Sequence, residues 1–322
     1  KIFTYSGIGL VILIGHGLVG HLKNGVLHHY DAATKKILMP KLGFTDKQKS
    51  CHREGDSYAP LASSCVLGDE KHIVGALIGD SHGYAVSTAL DAEANKHKIG
   101  LYQMTFNGCP TAGSVYRVDF NADNKCAEFN ADVEQFIKNS KDITNVVMVS
   151  RWTQFLVGTG FNNGEGGIEK TKALIDNIAN GVRERNAEDV RIEKLKKKTI
   201  ESITSYLEAG KKVTLVYPIP EVGWAVPEFI AKQTLFGDKD FVRSTSYALF
   251  KERNKIAFET LDAIPDQENL TRVYPDKILC NTHLSDRCVF VLNGEPLYFD
   301  DNHLSKPGAG LIVGDVLKTL HQ

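Results

Sequence analysis

The stretch IVGALIGDSH, residues 73–82, decides the fold of this chain. Its apolar run Ile73–Ile78 predicts a buried strand, and Gly79-Asp80-Ser81-His82 leads into a helix-like stretch that begins at Gly83. A serine at such a strand-to-helix turn presents its hydroxyl at the sheet edge, and backbone N–H groups at the helix N-terminus face the space where an oxyanion forms. Ser81 is therefore the candidate nucleophile.

Short apolar runs alternate with amphipathic segments from this stretch onward, which is typical of parallel strands joined by crossover helices. The predicted strands are Ile73–Ile78, Ile99–Phe106, Asn145–Ser150, Lys212–Tyr217 and Val289–Leu292. The predicted helices are Gly83–Lys96, Ala131–Asn139, Ile168–Ile178, Asp189–Ala209, Ser244–Leu261 and Gly308–Leu320. With helices on both faces, these elements form a three-layer α/β/α domain around a parallel sheet of about five strands, whose active site lies at the carboxyl ends of the strands.

Serine is a weak nucleophile at neutral pH and needs a neighbouring base. The segment Asp300-Asp301-Asn302-His303-Leu304-Ser305 supplies a histidine with a carboxylate three residues before it. In one short loop, His303 would take the Ser81 proton while Asp300 orients the imidazole and stabilises its charged form. Asp301 is a rival carboxylate that spacing does not exclude, and helix capping is the alternative role of these side chains. The two motifs together, at opposite ends of an α/β pattern, favour catalysis.

His82 also lies next to the candidate nucleophile, but an adjacent residue on a turn usually points elsewhere, so it ranks below His303 as the base. The run Asn162–Gly167, NNGEGG, is interpreted as a flexible surface loop, with an active-site lid as the alternative.

These motifs resemble the SGNH hydrolase superfamily. More narrowly, they resemble the C-terminal SGNH domains fused to membrane acyltransferase family 3 proteins, which O-acetylate bacterial surface polysaccharides. Further matches cover essentially the whole chain: Ser150-Arg151-Trp152, Tyr217-Pro218-Ile219-Pro220-Glu221, and Leu279-Cys280 with Cys288. The resemblance implies an SGNH-hydrolase-like (flavodoxin-like) fold.

The resemblance also implies a domain order. Residues 71–322 form the SGNH domain, residues 23–70 form a periplasmic linker or extension, and residues 1–22 form the end of a transmembrane helix or a membrane-proximal segment. The apolar, Gly-rich stretch Ile2–Leu22 is only marginally long enough to span a bilayer, so a buried hairpin or a signal-peptide core is the alternative. Followed by Gly25, it is similar to the junction between the last membrane helix and the periplasmic extension in those proteins.

The function implied is acyl transfer at the periplasmic face of the bacterial inner membrane. A fused or adjacent transmembrane acyltransferase domain would deliver an acyl group, usually acetyl derived from acetyl-CoA, and Ser81 would pass it to a carbohydrate acceptor such as lipopolysaccharide O-antigen. The domain itself would bind no cofactor. A carbohydrate esterase with the same triad, and a non-catalytic glycan-binding module, are the alternatives.

The resemblance further implies an oxyanion hole built from the Ser81 backbone N–H and a glycine, for which Gly108 in Asn107-Gly108-Cys109-Pro110 is the candidate. Where the superfamily has GxND, this chain has Ser150-Arg151-Trp152-Thr153, so the usual Asn donor is missing. The amide of Asn107 or the charge of Arg151 would replace it. A structural ion pair is the alternative role of Arg151, and Trp152 either stacks on a sugar or packs in the core.

Cysteine spacing and charge exclude other classes of protein. The six cysteines fall into three close pairs, and the simplest pairing joins Cys51 to Cys65, Cys109 to Cys126, and Cys280 to Cys288. None has CxxC spacing, so disulfides in an oxidising compartment are expected. No metal site is expected, because His16, His21, His28 and His29 lack metal-ligand spacing. A formal net charge of −1 provides no basic field for nucleic acid.

Overall fold

The computed structural model of the protein describes residues 2–22, 44–55, 57–118, 125–170, 174–179, 182–235 and 243–320. Gly25, the His28-His29 pair and the first part of the predicted linker over residues 23–70 lie outside the described residues.

Helices and strands alternate along most of the chain. The helices are α1 (Ile2–Leu22), α2 (Asp46–Cys51), α3 (Ser81–Lys96), α4 (Cys126–Asn139), α5 (Trp152–Val157), α6 (Glu188–Glu208), α7 (Val226–Leu235), α8 (Tyr247–Asp262), α9 (Pro275–Leu279) and α10 (Lys306–Leu320). The strands are β1 (His52–Arg53), β2 (Val66–Gly68), β3 (Ile73–Gly79), β4 (Gly100–Phe106), β5 (Val115–Arg117), β6 (Asn145–Val149), β7 (Ile175–Ala179), β8 (Val182–Arg183), β9 (Lys212–Val216), β10 (Ser244–Ser246), β11 (Leu270–Val273), β12 (Arg287–Val289), β13 (Val291–Leu292) and β14 (Glu295–Pro296).

The central sheet has seven strands, in the order β1-β4-β3-β6-β9-β11 with β2 added to β4. Neighbours along this path are parallel, whereas β2 runs antiparallel to β4. In this register Gly79 lies beside Thr105 on one side and Val149 on the other. The prediction of a parallel α/β sheet is confirmed, and the ends of β3, β4 and β6 meet at one edge.

Helices cover both faces of this sheet. Ile78 joins an apolar cluster with Ile203 of α6, and α4 and α8 contribute to the same cluster. Its neighbour Leu77 joins a second cluster with Val313 of α10, together with side chains of α3 and α7. Because consecutive strand residues point to opposite faces of a sheet, Ile78 belongs to the core on one face and Leu77 to the core on the other. The predicted three-layer arrangement is confirmed.

The prediction that Val289–Leu292 forms the fifth strand of this sheet was wrong. Those residues lie in two small antiparallel pairs, β10-β12 and β13-β14, whereas β11 (Leu270–Val273) completes the central sheet beside β9. Only Leu270 and Val273 of β11 are buried. Its mixed sequence gives a weaker apolar signal than Val289–Leu292, and pairing with β9 decides the outcome.

The predicted helix Ile168–Ile178 was also wrong. Ile168 forms an isolated bridge with Asn162, and Ile175–Ala179 is strand β7, which pairs antiparallel with β5. Short apolar stretches do not distinguish helix from strand by periodicity alone, and here the partner strand β5 determines the conformation.

The sheet extends beyond the boundary predicted at residue 70. Strands β1 and β2 both lie on the outer edge of β4, and a disulfide between Cys51 and Cys65 joins their two segments. The buried Gln48 of α2 donates from Nε2 to the carbonyl of Ser87 at 3.1 Å. Residues from 44 onward are therefore packed into the domain.

The predicted disulfide pairing is confirmed, since Cys109–Cys126 and Cys280–Cys288 are bonded as well as Cys51–Cys65. Across the ranges described above, no helix is both long enough and apolar enough to cross a membrane.

The turn before α3 requires glycine at position 79. A Cβ atom on Gly79 would lie 2.0 Å from the carbonyl oxygen of Val149, so we expect Gly79→Ala to lower the free energy of unfolding by roughly 2 kcal/mol or more. Gly310 in α10 has open space around its Cβ position, and Gly310→Ala should raise stability slightly because alanine favours helix. Urea denaturation of both variants tests this, and equal effects would contradict it.

Candidate active site

The turn that carries Ser81 is held by the buried carboxyl group of Asp80. Asp80 precedes α3, and its Oδ1 accepts the backbone N–H of His82 at 2.7 Å. Its Oδ2 accepts the backbone N–H of Arg151 at 2.7 Å and the hydroxyl of Ser150 at 3.2 Å. Burial raises the pKa of this carboxyl although these donors act to lower it. Asp80 thus ties the end of β3 to the end of β6.

The structure brings Ser81, His303 and Asp300 into one hydrogen-bonded chain. The Ser81 hydroxyl lies 2.7 Å from Nε2 of His303, and Nδ1 of His303 lies 2.7 Å from Oδ2 of Asp300. Burial raises the pKa of Asp300, but the charge of His303 and hydrogen bonds from His303 and Asn302 lower it to about 2. The ionised carboxylate accepts Nδ1–H, which leaves Nε2 free to accept the serine proton.

The loop that carries His303 rests on the segment after β9. The carbonyl oxygen of Asp301 accepts the backbone N–H groups of Val222 at 2.9 Å and Gly223 at 3.0 Å. The hydroxyl of Tyr298, just before the loop, donates to the carbonyl of Pro220 at 2.7 Å. These contacts fix the backbone on which the histidine is mounted.

Asp301 is not the carboxylate that contacts His303. Its Oδ1 accepts from Nδ2 of Asn302 at 2.7 Å, and burial, together with the charges of Glu169 and Asp300, raises its pKa. Of the two candidates that spacing left open, the structure therefore places Asp300 at the imidazole.

His82 is buried and points to the same loop. Asn302 directs its amide nitrogen to Asp301, so its Oδ1 faces Nε2 of His82 at 3.0 Å and accepts a hydrogen bond from the Nε2–H group. Burial, followed by the charges of His303 and Arg151, lowers the pKa of His82 well below its usual range. The ring is neutral, and its centroid lies 5.0 Å from that of His303, whose Nε2 contacts the Ser81 hydroxyl. His82 therefore lies beside His303 and is not the ring bonded to the serine.

Two of the predicted oxyanion donors lie at the ends of β3 and β4. Ser81 is the first residue of α3, so its backbone N–H has no acceptor within the helix. Gly108 follows β4 with a φ of 61°, and its carbonyl accepts from Nη1 of Arg117 at 2.9 Å. The backbone N–H of Asn107 already donates to the carbonyl of Arg53 at 2.7 Å, which leaves only its exposed side chain for the predicted role.

The guanidinium of Arg151 is engaged in buried ion pairs. Its guanidinium is 8% exposed and is bound between two carboxylates, with Nε 2.8 Å from Glu221 and Nη1 2.8 Å from Glu169. Glu221 also accepts from Nε of Arg253 at 2.9 Å. The structural ion pair that the sequence left open is the arrangement found, and the prediction of substrate contact is corrected.

Trp152 does not offer a face to a sugar. Its side chain is 4% exposed and packs in the core, and its indole N–H donates to the carbonyl of Val216 at 2.8 Å. The prediction that Trp152 contacts substrate is corrected in the same way.

The loop Asn162–Gly167 is anchored. Buried Asn163 donates from Nδ2 to the carbonyl of Val222 at 2.9 Å, and its Oδ1 accepts the backbone N–H groups of Glu165 and Gly167 at 2.8 Å each. The Glu165 carboxylate pairs with Arg287. The composition predicted a flexible loop, but the side chain of Asn163 fixes the backbone of its own loop. Asn163 also supports Val222, whose backbone N–H donates to the carbonyl of Asp301.

Sequence reasoning missed the partners Glu169 and Arg253 and the aromatic side chains near His303. None of them carries a local motif, because each acts through a contact made only in the fold. In the part of the chain that the structure describes, no group of three or more His, Cys, Asp or Glu side chains could hold a metal ion.

Comparison with known proteins identifies the relatives of this site. The family model described as the SGNH domain fused to AT3 domains matches residues 50–318. The chain is similar to the lipopolysaccharide acetyltransferase periplasmic domain of Salmonella ser. Paratyphi A, with a TM-score of 0.59 and 16% identity over 92% of this chain and 99% of that chain. This likeness shows the fold.

A second solved structure, a Bacteroides fragilis NCTC 9343 protein assigned as an acylhydrolase, has a TM-score of 0.36 and 9% identity over 81% of this chain and 91% of that chain, which is too weak to carry an argument. No curated protein matches the chain significantly.

The buried charges around Glu221 make stability depend on pH. Burial raises the pKa of Glu221, but Arg151 and Arg253 outweigh it and lower the pKa from 4.5 to about 2. Because the folded-state pKa is the lower one, the stabilisation is present above pH 4.5 and is lost as the pH falls towards 2. We expect Glu221→Gln to cost roughly 3–5 kcal/mol at pH 7 and to flatten this loss.

Urea denaturation between pH 7 and pH 3 measures both effects. The control is Glu259→Gln, at an exposed carboxylate 3.9 Å from Lys255, which should change stability by less than about 0.5 kcal/mol. A Glu221→Gln variant as stable as this control would contradict the expectation.

Proposed function

Because the chain belongs to the family of SGNH domains that are fused to AT3 domains, we propose that it is an O-acyltransferase that moves an acyl group through Ser81 to a hydroxyl of a bacterial surface glycan. The observation that carries the proposal is the hydrogen-bonded chain from Ser81 through His303 to Asp300, with both links 2.7 Å long. An activated serine needs a base within hydrogen-bonding distance of its hydroxyl, and His303 lies at that distance from Ser81.

The first half of the reaction acylates Ser81. His303 takes the hydroxyl proton at Nε2 while the serine oxygen attacks the carbonyl carbon of the acyl donor, and Asp300 stabilises the imidazolium that forms. The Ser81 N–H, with Gly108 as the candidate second donor, stabilises the oxyanion. The donor's leaving group departs with the proton from His303, and the acyl group remains on Ser81.

The second half regenerates the serine. A glycan hydroxyl loses its proton to His303 as its oxygen attacks the acyl carbon, and the Ser81 oxygen leaves and recovers that proton. A carbohydrate esterase would use the same steps with water in place of the glycan. Acceptor access alone separates the two activities.

We further propose that the donor reaches Ser81 from a fused or adjacent transmembrane acyltransferase domain at the periplasmic face of the inner membrane, and that the acyl group is acetyl. The family description supports the partner, and the three disulfides support an oxidising compartment. The similar Salmonella protein is a lipopolysaccharide acetyltransferase periplasmic domain, which supports a lipopolysaccharide glycan as acceptor. No cofactor of the domain's own is part of this proposal.

Ser81→Ala should abolish acyl transfer without unfolding the chain. Incubation with p-nitrophenyl acetate, with and without a candidate surface glycan, should give an acetylated serine and an acetylated sugar by mass spectrometry in the wild type and neither in the variant. Ester hydrolysis that depends on Ser81 but acetylates no glycan would favour the esterase. Transfer that survives in Ser81→Ala would refute the proposed nucleophile.

Two adjacent carboxylates give a matched test of the orienting group. Asp300→Asn should lower kcat by roughly 10³- to 10⁴-fold, because an amide cannot hold the imidazole in the correct tautomer or stabilise its charge. Asp301→Asn should cause a far smaller loss, since its side chain contacts Asn302 and not His303. Similar losses in kcat from the two substitutions would show that the geometry has been assigned to the wrong carboxylate.

A further inference from the structure

A continuous row of rings runs from the N-terminal segment to His303. Tyr84 of α3 lies between His52, whose ring centroid is 4.1 Å away, and Phe44, at 3.9 Å, and both pairs are stacked. Phe44 meets Phe299 edge-on at 5.6 Å, and Phe299 stacks on the imidazole of His303 at 5.3 Å with an angle of 4° between the ring planes. We refer to these five side chains as the aromatic row.

The last contact places an aromatic face against the ring that becomes charged in the reaction. The face of a phenyl ring is electron-rich, and it attracts a cation within about 6 Å of its centroid. Because His303 is neutral before it takes the Ser81 proton and positive afterwards, this attraction is stronger in the transition state than in the ground state. An aliphatic side chain of similar volume would fill the space without providing the attraction.

We propose that Phe299 is a positioning residue that stabilises the charged form of His303, and that Phe44 of the N-terminal segment holds Phe299 against it. This inference rests on the proposed function, in which His303 is the base. It assigns the segment before β1 a part in the reaction as well as in the fold.

Phe44 is held firmly enough for this role. It immediately precedes Thr45, whose side chain caps α2 by accepting the backbone N–H of Gln48, while the Gln48 side chain accepts the N–H of Thr45 in return. At its other end, α2 leads into β1, which pairs with β4. Phe44 therefore lies directly before a capped helix that is fixed to the sheet edge.

The other titratable groups that face His303 favour a positive charge on this ring when it takes the Ser81 proton. Asp300 on its own loop and Asp80 on the turn before α3 interact favourably with that charge. Burial and the charge of His303 lower the pKa of His52 to about 3, and they also lower that of His82. Both of these rings are neutral at pH 7, so the phenyl face of Phe299 adds to an arrangement that already favours one cation.

The test compares the full chain with three variants: Phe299→Leu, Phe44→Leu and the control Phe258→Leu. Phe258 of α8 is half-buried, as Phe299 is, and it stacks on Tyr274, which precedes α9. Proton NMR of the His303 ring, assigned by its loss in His303→Asn, follows the titration of that ring directly and does not require activity.

We expect the titration midpoint of His303 to fall by roughly 0.3–1 pH unit in Phe299→Leu. It should fall by a smaller amount in Phe44→Leu and remain unchanged in Phe258→Leu. The acid limb of kcat/KM for an activated acetyl ester should move to lower pH with it, and kcat should drop about 2- to 10-fold while KM stays constant. Phe299→Trp, which restores an aromatic face, should recover the wild-type midpoint.

An unchanged titration midpoint in folded Phe299→Leu overturns the inference. A rise in KM for the glycan without a change in the pH profile also overturns it, because Phe299 would then be a contact of the acceptor. If Phe299→Leu does not fold, the comparison of Phe44→Leu with Phe299→Trp decides the question. Acyl transfer that persists in Ser81→Ala refutes the proposed function, whereas the NMR midpoint still reports on the stacking.

Discussion

The site depends on the contact that Asp80 makes between two neighbouring strands. Its carboxyl group is buried, and it accepts three hydrogen bonds, from the backbone N–H groups of His82 and Arg151 and from the hydroxyl of Ser150. A buried carboxyl group without hydrogen-bond partners would cost free energy. The three hydrogen bonds of Asp80 avoid that cost and hold the ends of β3 and β6 together. The Ser81 hydroxyl takes its direction from this turn, and the carbonyl oxygen of Val149 leaves no space for a side chain at Gly79.

A second constraint acts on the opposite side of the serine. The loop with Asp300 and His303 belongs to the last part of the chain, and it is mounted on Val222 and Gly223, which follow β9. That segment in turn is supported by Asn163 and lies next to the ion pairs that join Arg151 to Glu221. Glu221 therefore links the β6 end, where Asp80 is bound, to the β9 end, where the base is supported. Buried ion pairs add little net stability, but they fix geometry when every partner is present.

These contacts explain which parts of the site could be predicted from the sequence. Ser81 stands in a short motif directly after β3, at the edge of the parallel sheet where such sites form, and the Asp300–His303 pair stands in a short motif shortly before α10. Arg151 was visible as a departure from the expected motif, but its partners lie 18 and 70 residues away in sequence, so nothing local distinguished an ion pair from an oxyanion donor. The same limit explains β11 and the false helix over Ile168–Ile178, since strand pairing decided both.

The N-terminal segment contributes to the surroundings of His303 through His52. β1 is an edge strand of only two residues. Its pairing with β4 nevertheless places Nδ1 of His52 2.9 Å from the hydroxyl of Thr105. His52 and His82 are then both close enough to His303 for its charge to lower their pKa values. Three rings so close together cannot all be positively charged, and burial keeps His52 and His82 neutral. His303 is the one ring of the three that contacts both Ser81 and Asp300, so in the proposed reaction the positive charge forms there when the Ser81 proton is taken up. His52, on the edge strand β1, is thus one of the two rings that stay neutral beside it.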